Sequence, residues 1–153
     1  MKKQLLIIIT IFIIALIVAS VYFLSYKADL NEVKKYNLNF EKYTDKVIYG
    51  TDVGSIINFA INNNEVYEIE KDENGRYIDD DKYCVRVKIN IQTLDEDENI
   101  EENMYDMETI SELGTDRFVQ NFNLYEFKIK KIDYNSTGRV NYIEIKNIET
   151  IWL

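Results

Sequence analysis

The sequence predicts an α+β fold: an N-terminal transmembrane helix followed by one amphipathic helix packed on an antiparallel sheet of about four strands. Three observations support this class. They are a long apolar run near the N-terminus, an apolar stripe at helical spacing after Gly50, and alternating apolar residues in several later segments. Helix and strand segments do not alternate regularly along the chain, which favours an α+β over an α/β architecture.

The apolar run covers residues 5–24, where only Thr10 and Ser20 interrupt it. As a helix rising 1.5 Å per residue it would be about 30 Å long, which matches the hydrocarbon thickness of a bilayer. Tyr22 and Tyr26 lie where interfacial aromatic side chains hold a retained helix. We therefore expect a signal anchor at 5–24.

A cleaved secretory leader is the alternative interpretation of the same run. Lys2 and Lys3 form a basic head, and residues 17–19 followed by Ser20 resemble a small-residue cleavage site. Leader cores usually contain only ~7–15 apolar residues, so the length of this run favours retention.

Charges that flank the run predict its orientation weakly, because Lys2 and Lys3 precede it and Lys27, Lys34 and Lys35 follow it. A head as short as residues 1–4 most simply stays in the cytoplasm. We therefore expect a single-pass protein of the cell membrane whose C-terminal domain is extracytoplasmic.

Residues 25–46 are expected to form a stalk or linker that is partly helical, since Leu30, Val33 and Phe40 recur at helical spacings. A polar linker is nearly as compatible with this partial stripe. The remainder, 47–153, is expected to form a single α+β domain.

The firmest helix is predicted in the segment GTDVGSIINFAINNN, with Thr51 or Asp52 as N-cap and Asn62–Asn64 as its stop. Gly54 in its first turn suggests close approach by a neighbouring strand. A phosphate cradle at Gly50–Gly54 is disfavoured because the segment lacks the required lysine and glycine spacing. The apolar face consists of Val53, Ile56, Ile57, Ala60 and Ile61.

Strands are predicted next, beginning with a short alternating run at Val66–Glu70 and a turn at Asp72–Gly75. Residues 83–91 alternate more clearly. In that pattern Cys84 shares the wetter face with Arg86, which would permit a reactive thiol. A lone cysteine in a chain without histidine is more often inert.

The region from Ile89 to Asp116 contains ten acidic residues and no basic one, most densely at 94–103. Carboxylates suit calcium, but the spacing of an EF-hand loop is absent here and at Asp79–Asp81. Mutual repulsion favours a solvated loop at 94–103.

A short helical stretch with Met104, Met107, Ile110 and Leu113 is expected before Gly114, and further helical turns follow from Thr115. The closing segments, LYEFKIKKIDY and RVNYIEIKNI, flank NSTG and predict a β-hairpin. The tip also contains a glycosylation sequon at Asn135–Thr137, although these residue types are common in turns.

Composition restricts the chemistry that is available. The chain has 18 basic and 27 acidic residues, and without Lys2 and Lys3 the balance is 16 against 27, a charge of −11 that argues against nucleic-acid binding. There is no histidine, no proline and one cysteine, which excludes His-based triads, His-ligated metals and intramolecular disulfides. We expect no enzyme and no catalytic, cofactor-binding or metal-ligating residues.

Several segments carry a resemblance across nearly the whole chain. The G-T-D-V helix with its N-x-A-I-x-x-N tail, the L-G-x-x-x-F-V-x-x-F segment and the T-G-R hairpin resemble uncharacterised small bacterial single-pass membrane-anchored proteins. This resemblance implies an architecture and no activity. A weaker likeness is to pilin-like subunits. The chain departs from them because it lacks their cleavage residue before an aromatic and their early glutamate within the apolar run.

The sequence therefore predicts a membrane-tethered, extracytoplasmic interaction or assembly module without catalysis. Its expected partners are the lipid bilayer and an unidentified protein. The alternatives are a pilin-like structural subunit of a surface or secretion apparatus, a secreted soluble binding protein, and an enzyme that uses paired carboxylates.

Overall fold

The computed structural model describes residues 2–94 and 100–148 and confirms the α+β class. The chain divides into two units, Met1–Lys35 and Tyr36–Leu153. In chain order the elements are α1 (Lys2–Glu41), β1 (Ile48–Tyr49), α2 (Gly50–Val66), β2 (Arg86–Leu94), β3 (Ile100–Asp106), α3 (Met107–Leu113), α4 (Thr115–Phe122), β4 (Glu126–Tyr134) and β5 (Val140–Asn147).

The first unit is formed by α1, which is long and apolar enough to cross a membrane. Its most apolar 18-residue window has a mean hydropathy of 3.0, and none of that window is buried. The hydroxyl groups of Thr10 and Ser20 donate to the carbonyl oxygens of Leu6 and Leu16 at 2.9 and 2.8 Å. These polar side chains therefore do not depend on water for hydrogen bonding.

The last turn of α1 belongs to the second unit. Phe40 is fully buried, and the Tyr36 hydroxyl donates to the carbonyl oxygen of Val140 at 3.1 Å. The Asn37 amide accepts from the N–H of Val140 at 3.0 Å and donates to the carbonyl oxygen of Gly138 at 2.8 Å. These contacts dock the helix end on the start of β5.

The predicted amphipathic helix is α2, but both of its ends differ from expectation. Tyr49 is the N-cap, and a carboxylate oxygen of Asp52 accepts from the backbone N–H of Tyr49 at 3.0 Å. Asp52 thus fills the acidic third position of a capping box and is not itself the cap. The helix also continues past the asparagine run to Val66.

Asn63 and Asn64 do not stop α2 because their side chains are buried and bind the chain that leads into β2. The Asn64 amide donates to the carbonyl oxygen of Val85 at 2.8 Å and accepts from its N–H at 3.0 Å. Asn63 donates to the carbonyl oxygen of Tyr83 at 2.8 Å. With their amides bonded to another segment, they do not compete for the helix backbone.

Within the described residues the sheet contains five strands in the order β1-β4-β5-β2-β3, close to the expected four. The predicted C-terminal hairpin is confirmed as the antiparallel pair β4–β5. Antiparallel pairing was predicted throughout, yet β5 pairs with β2 in parallel. The reason is topological. α3 and α4 connect β3, at one edge of the sheet, to β4 near the opposite edge, and β5 then lies between β4 and β2 and runs parallel to β2.

One face of the sheet packs against the helices in a single apolar core. Strand β2 alternates as predicted, with Val87, Ile89 and Ile91 buried. α2 contributes Val53, Ile56, Ile57 and Ala60, α3 contributes Met107 and Ile110, α4 contributes Phe118, and the other strands add Ile48, Phe127, Ile143 and Ile145.

The strand predicted at Val66–Glu70 is wrong, since α2 occupies Val66 and a turn follows at Tyr67 and Glu68. The turn predicted at Asp72–Gly75 is confirmed. The Asp72 carboxylate accepts from the N–H groups of Asn74 and Arg76 at 2.8 and 2.9 Å, and Gly75 has a φ of +77°. Only an isolated bridge, Lys71 with Tyr77, flanks it.

The predicted acidic loop at 94–103 is only partly within the described residues, since 95–99 lie outside them. Glu101 and Glu102 are not in a loop but in β3, which pairs with β2. Met104 also lies in β3, whereas Met107 and Ile110 lie in α3 as predicted. Charge repulsion favours an extended backbone but does not decide between a loop and a strand. Cross-strand contacts with β2 stabilise the strand.

Gly50 and Gly54 allow α4 to approach α2 closely, so the neighbour at Gly54 is a helix and not the predicted strand. A Cβ atom on Gly50 would overlap the backbone carbonyl of Phe122. On Gly54 it would lie 2.6 Å from a methyl carbon of Val119. The first obstacle is backbone and the second is a side-chain methyl group.

We expect Gly50→Ala to lower the free energy of unfolding by about 1–3 kcal/mol, because an overpacked backbone contact has no rotamer that relieves it. Gly54→Ala should cost less, since Val119 can move and alanine favours the helix by about 1 kcal/mol over glycine. Urea denaturation of both variants measures the difference. Equal losses would show that the Phe122 carbonyl is not a rigid obstacle.

Candidate functional surface

The sheet has a second face, opposite the core, that carries polar side chains. We call it the open face. Register places Arg86 opposite Tyr142, Lys88 opposite Glu144 and Asn90 opposite Lys146, so these side chains share one side of the sheet. The open face comprises Arg86, Lys88, Asn90 and Gln92 of β2, Glu102, Met104 and Asp106 of β3, and Tyr142, Glu144 and Lys146 of β5.

Ion pairs cross the open face. Lys146 contacts Glu102 at 3.1 Å, and Lys88 contacts Asp106 at 3.7 Å. Hydrogen bonds from Lys146 and Gln92 hold the pKa of Glu102 below its ordinary value, so the pair stays ionised at neutral pH. Exposed pairs of this kind contribute little to the free energy of unfolding because solvent screens them.

A small recess lies at one end of the open face. It has a volume of about 60 Å³ and is lined by Arg76, Tyr77, Arg86, Val87, Lys88, Asp106 and Glu108. Arg76 contacts Asp106 at 3.2 Å, and the Glu108 carboxylate accepts from the N–H of Tyr77 at 3.1 Å. Sites for drug-sized ligands are much larger, ~300–1,000 Å³. The recess is too small for such a ligand, and within it Asp106 contacts both Arg76 and Lys88.

The most concentrated buried polar chemistry surrounds Arg139, which is 4% exposed. Its guanidinium carbon lies 3.8 Å from the ring centroid of Tyr36 and 5.3 Å from the centroids of both Tyr67 and Tyr83. The Tyr67 and Tyr83 rings stack at 4.1 Å. This Arg139 cluster joins α1, the end of α2, the segment before β2 and the hairpin through cation–π contacts.

The Arg139 cluster serves as a structural joint between these segments. Burial raises the pKa of the Tyr36 hydroxyl well above its ordinary value, although the neighbouring guanidinium acts in the opposite direction. The hydroxyl therefore remains protonated and keeps donating to the carbonyl oxygen of Val140. No sequence motif predicts this cluster, because its members come from four separate segments.

The prediction that Cys84 lies on the wetter face of its strand is wrong. It is 1% exposed, and burial raises the pKa of its thiol. The alternation fails at this position because β2 begins at Arg86, so Cys84 lies in the irregular segment held by Asn64. A buried thiol with a raised pKa forms little of the reactive thiolate.

Asp80 and Asn135, which the sequence places in a possible calcium segment and a glycosylation sequon, have structural roles. Asp80 accepts from the backbone N–H groups of Lys82, Tyr83 and Cys84, which closes the turn before β2. The carboxamide of Asn135 organises the β4–β5 turn, accepting from the N–H of Thr137 at 2.9 Å. Within residues 2–94 and 100–148, no group of three or more His, Cys, Asp or Glu side chains is placed to hold a metal ion.

Comparisons with known proteins yield no relative. No protein-family model, no curated protein and no solved structure matches this chain.

We expect Cys84 to resist thiol reagents in the folded protein at pH 8, because modification requires the domain to open. In urea above the unfolding midpoint, the same reagent should react at the rate of an exposed cysteine. With an aromatic disulfide as the thiol reagent, the absorbance of the released aromatic thiolate measures the rate of Cys84 modification in both conditions. Rapid labelling without denaturant would contradict the buried position.

Proposed function

We propose that this chain is a membrane-tethered, extracytoplasmic interaction or assembly module that acts without catalysis. The observation that carries the proposal is α1, whose apolar window has a mean hydropathy of 3.0 and leads along the chain to an α+β domain. Fixing a domain at a surface raises its effective concentration toward partners on the same surface.

The character of the domain supports an interaction role. Its core is apolar, the recess at one end of the open face is small, and the open face presents charges of both signs. Its carboxylates at Asp80 and Glu108 bind backbone N–H groups, so they serve local structure. These features suit recognition by surface complementarity better than a reaction in a pocket.

The proposed orientation places Lys2 and Lys3 in the cytoplasm and the domain outside. Asn31 offers a direct test, because it is exposed in the first unit and the native Cys84 is buried. We expect Asn31→Cys to react with a membrane-impermeant maleimide in intact cells. Wild-type protein is the matched control and should stay unlabelled. Labelling of Asn31→Cys only after permeabilisation would indicate the opposite orientation, with the domain in the cytoplasm.

The tether itself is tested by fractionation. We expect wild-type protein to remain with membranes after carbonate washing and to keep an intact N-terminus by mass spectrometry. Ile13→Arg with Ile14→Arg should release it, since each arginine costs about 2.5–3.5 kcal/mol at the centre of a membrane helix. Ile13→Val with Ile14→Val is the control that should stay bound.

Two other outcomes would replace the proposal. A mature N-terminus near Ser20 in the medium would indicate a secreted soluble binding protein. Cleavage within the first few residues, together with recovery in surface filaments, would indicate a pilin-like subunit.

A further inference from the structure

β3 is last in the sheet order, so within residues 2–94 and 100–148 its outer edge has no strand partner. Strand edges of this kind present unpaired backbone groups to which another extended segment can bind.

Hydrogen bonds to Asn147 identify which backbone groups of β3 face outward. The Gln92 N–H donates to the Asn147 carboxamide at 2.7 Å, and that carboxamide donates to the Gln92 carbonyl oxygen at 2.8 Å. The backbone of Gln92 therefore faces β5 and not β3. Along an antiparallel pair of strands, pairs of opposite residues that exchange backbone hydrogen bonds alternate with pairs that do not. Glu102, opposite Gln92, thus turns its N–H and carbonyl away from β2.

The same alternation turns the N–H and carbonyl groups of Ile100 and Met104 outward, two residues to either side of Glu102. The N–H and carbonyl groups of Glu101 and Asn103 face β2. A row of outward donors and acceptors therefore runs along Ile100, Glu102 and Met104.

Side chains along this edge combine apolar contact with negative charge. Ile100 and Met104 are each 57% exposed, and Glu101 and Glu102 are exposed between them. The sequence has no lysine or arginine from 89 to 116. A second copy of the same strand would bring like charges together, which opposes self-pairing.

We propose that the outer edge of β3 binds an extended basic segment of a partner protein as an added strand. The inference rests on the proposed interaction function and names the chemistry of its partner. Main-chain hydrogen bonds to Ile100, Glu102 and Met104 supply affinity. Lysine or arginine side chains on one face of the added strand meet Glu101, which lies on the opposite side of β3 from Glu102. The apolar residues between them lie on the side of the open face, where they contact Ile100 and Met104.

The basic strand β4 of a second copy is the other candidate for this edge. β4 carries Lys128, Lys130 and Lys131, and β1 pairs with β4 only at Glu126 and Phe127. Self-association through β4 is therefore an alternative outcome that the experiment must detect.

The test uses the full chain in lipid nanodiscs and a fluorescent synthetic peptide in which lysine alternates with valine and threonine. Anisotropy should show binding that weakens as salt rises, since exposed charges are screened. Met104→Pro should weaken binding about tenfold, because proline removes one outward donor and leaves the β2 ladder intact. Met104→Ala keeps that donor and should lose less than about threefold.

Charge reversal keeps the proposal testable if proline disturbs the sheet. Glu101→Lys should weaken binding of the basic peptide and strengthen binding of a matched peptide in which glutamate replaces lysine. Equal binding of both peptides to wild-type protein, or unchanged binding by Met104→Pro with a native circular dichroism spectrum, would overturn the proposal.

Sedimentation of the wild-type chain distinguishes the occupants. Concentration-dependent association that Met104→Pro abolishes would assign the edge to a second copy and overturn the basic-partner proposal. Failure of the peptide experiment leaves the fractionation and maleimide results unaffected, so the edge and the tether fail independently.

Discussion

The structure depends on the packing of α2 across the inner face of the sheet. Its apolar residues pack against β1, β2 and β4, while Asn64 binds the backbone of Val85 just before β2 begins. The apolar stripe supplies non-directional burial, and the asparagine supplies a directional contact that sets where the chain enters the sheet. α4 then approaches α2 at Gly50 and Gly54, where any larger side chain would keep it away.

Local patterns predict the parts of this fold whose neighbours in space are also neighbours in sequence. The 3.6-residue stripe of α2 and the alternation of β4 and β5 around Asn135–Gly138 arise within single segments. Strand order depends on contacts between distant residues, so the parallel β2–β5 pair was not predictable from periodicity. Cys84 shows the same limit: its burial follows from Asn64, twenty positions earlier, and not from the β2 alternation.

The candidate surfaces are still less visible in the sequence. The Arg139 cluster collects Tyr36, Tyr67 and Tyr83 from segments that share no motif. The acidic region was visible as charge, but its repulsion suggested a loop where Glu101 and Glu102 form a strand. A sheet edge is defined by what is not paired with it, and that property emerges only when the strand order is complete.

The central place of β5 also limits when this domain can form. β2 and β3 can pair with each other as soon as both have left the ribosome, yet β5 must enter between β2 and β4 to complete the sheet. Until residues 140–147 are available, the inner side chains of β2 have no neighbour on that flank. A nascent chain would therefore keep this flank of β2 unpaired and would complete the sheet only after its C-terminal hairpin became available.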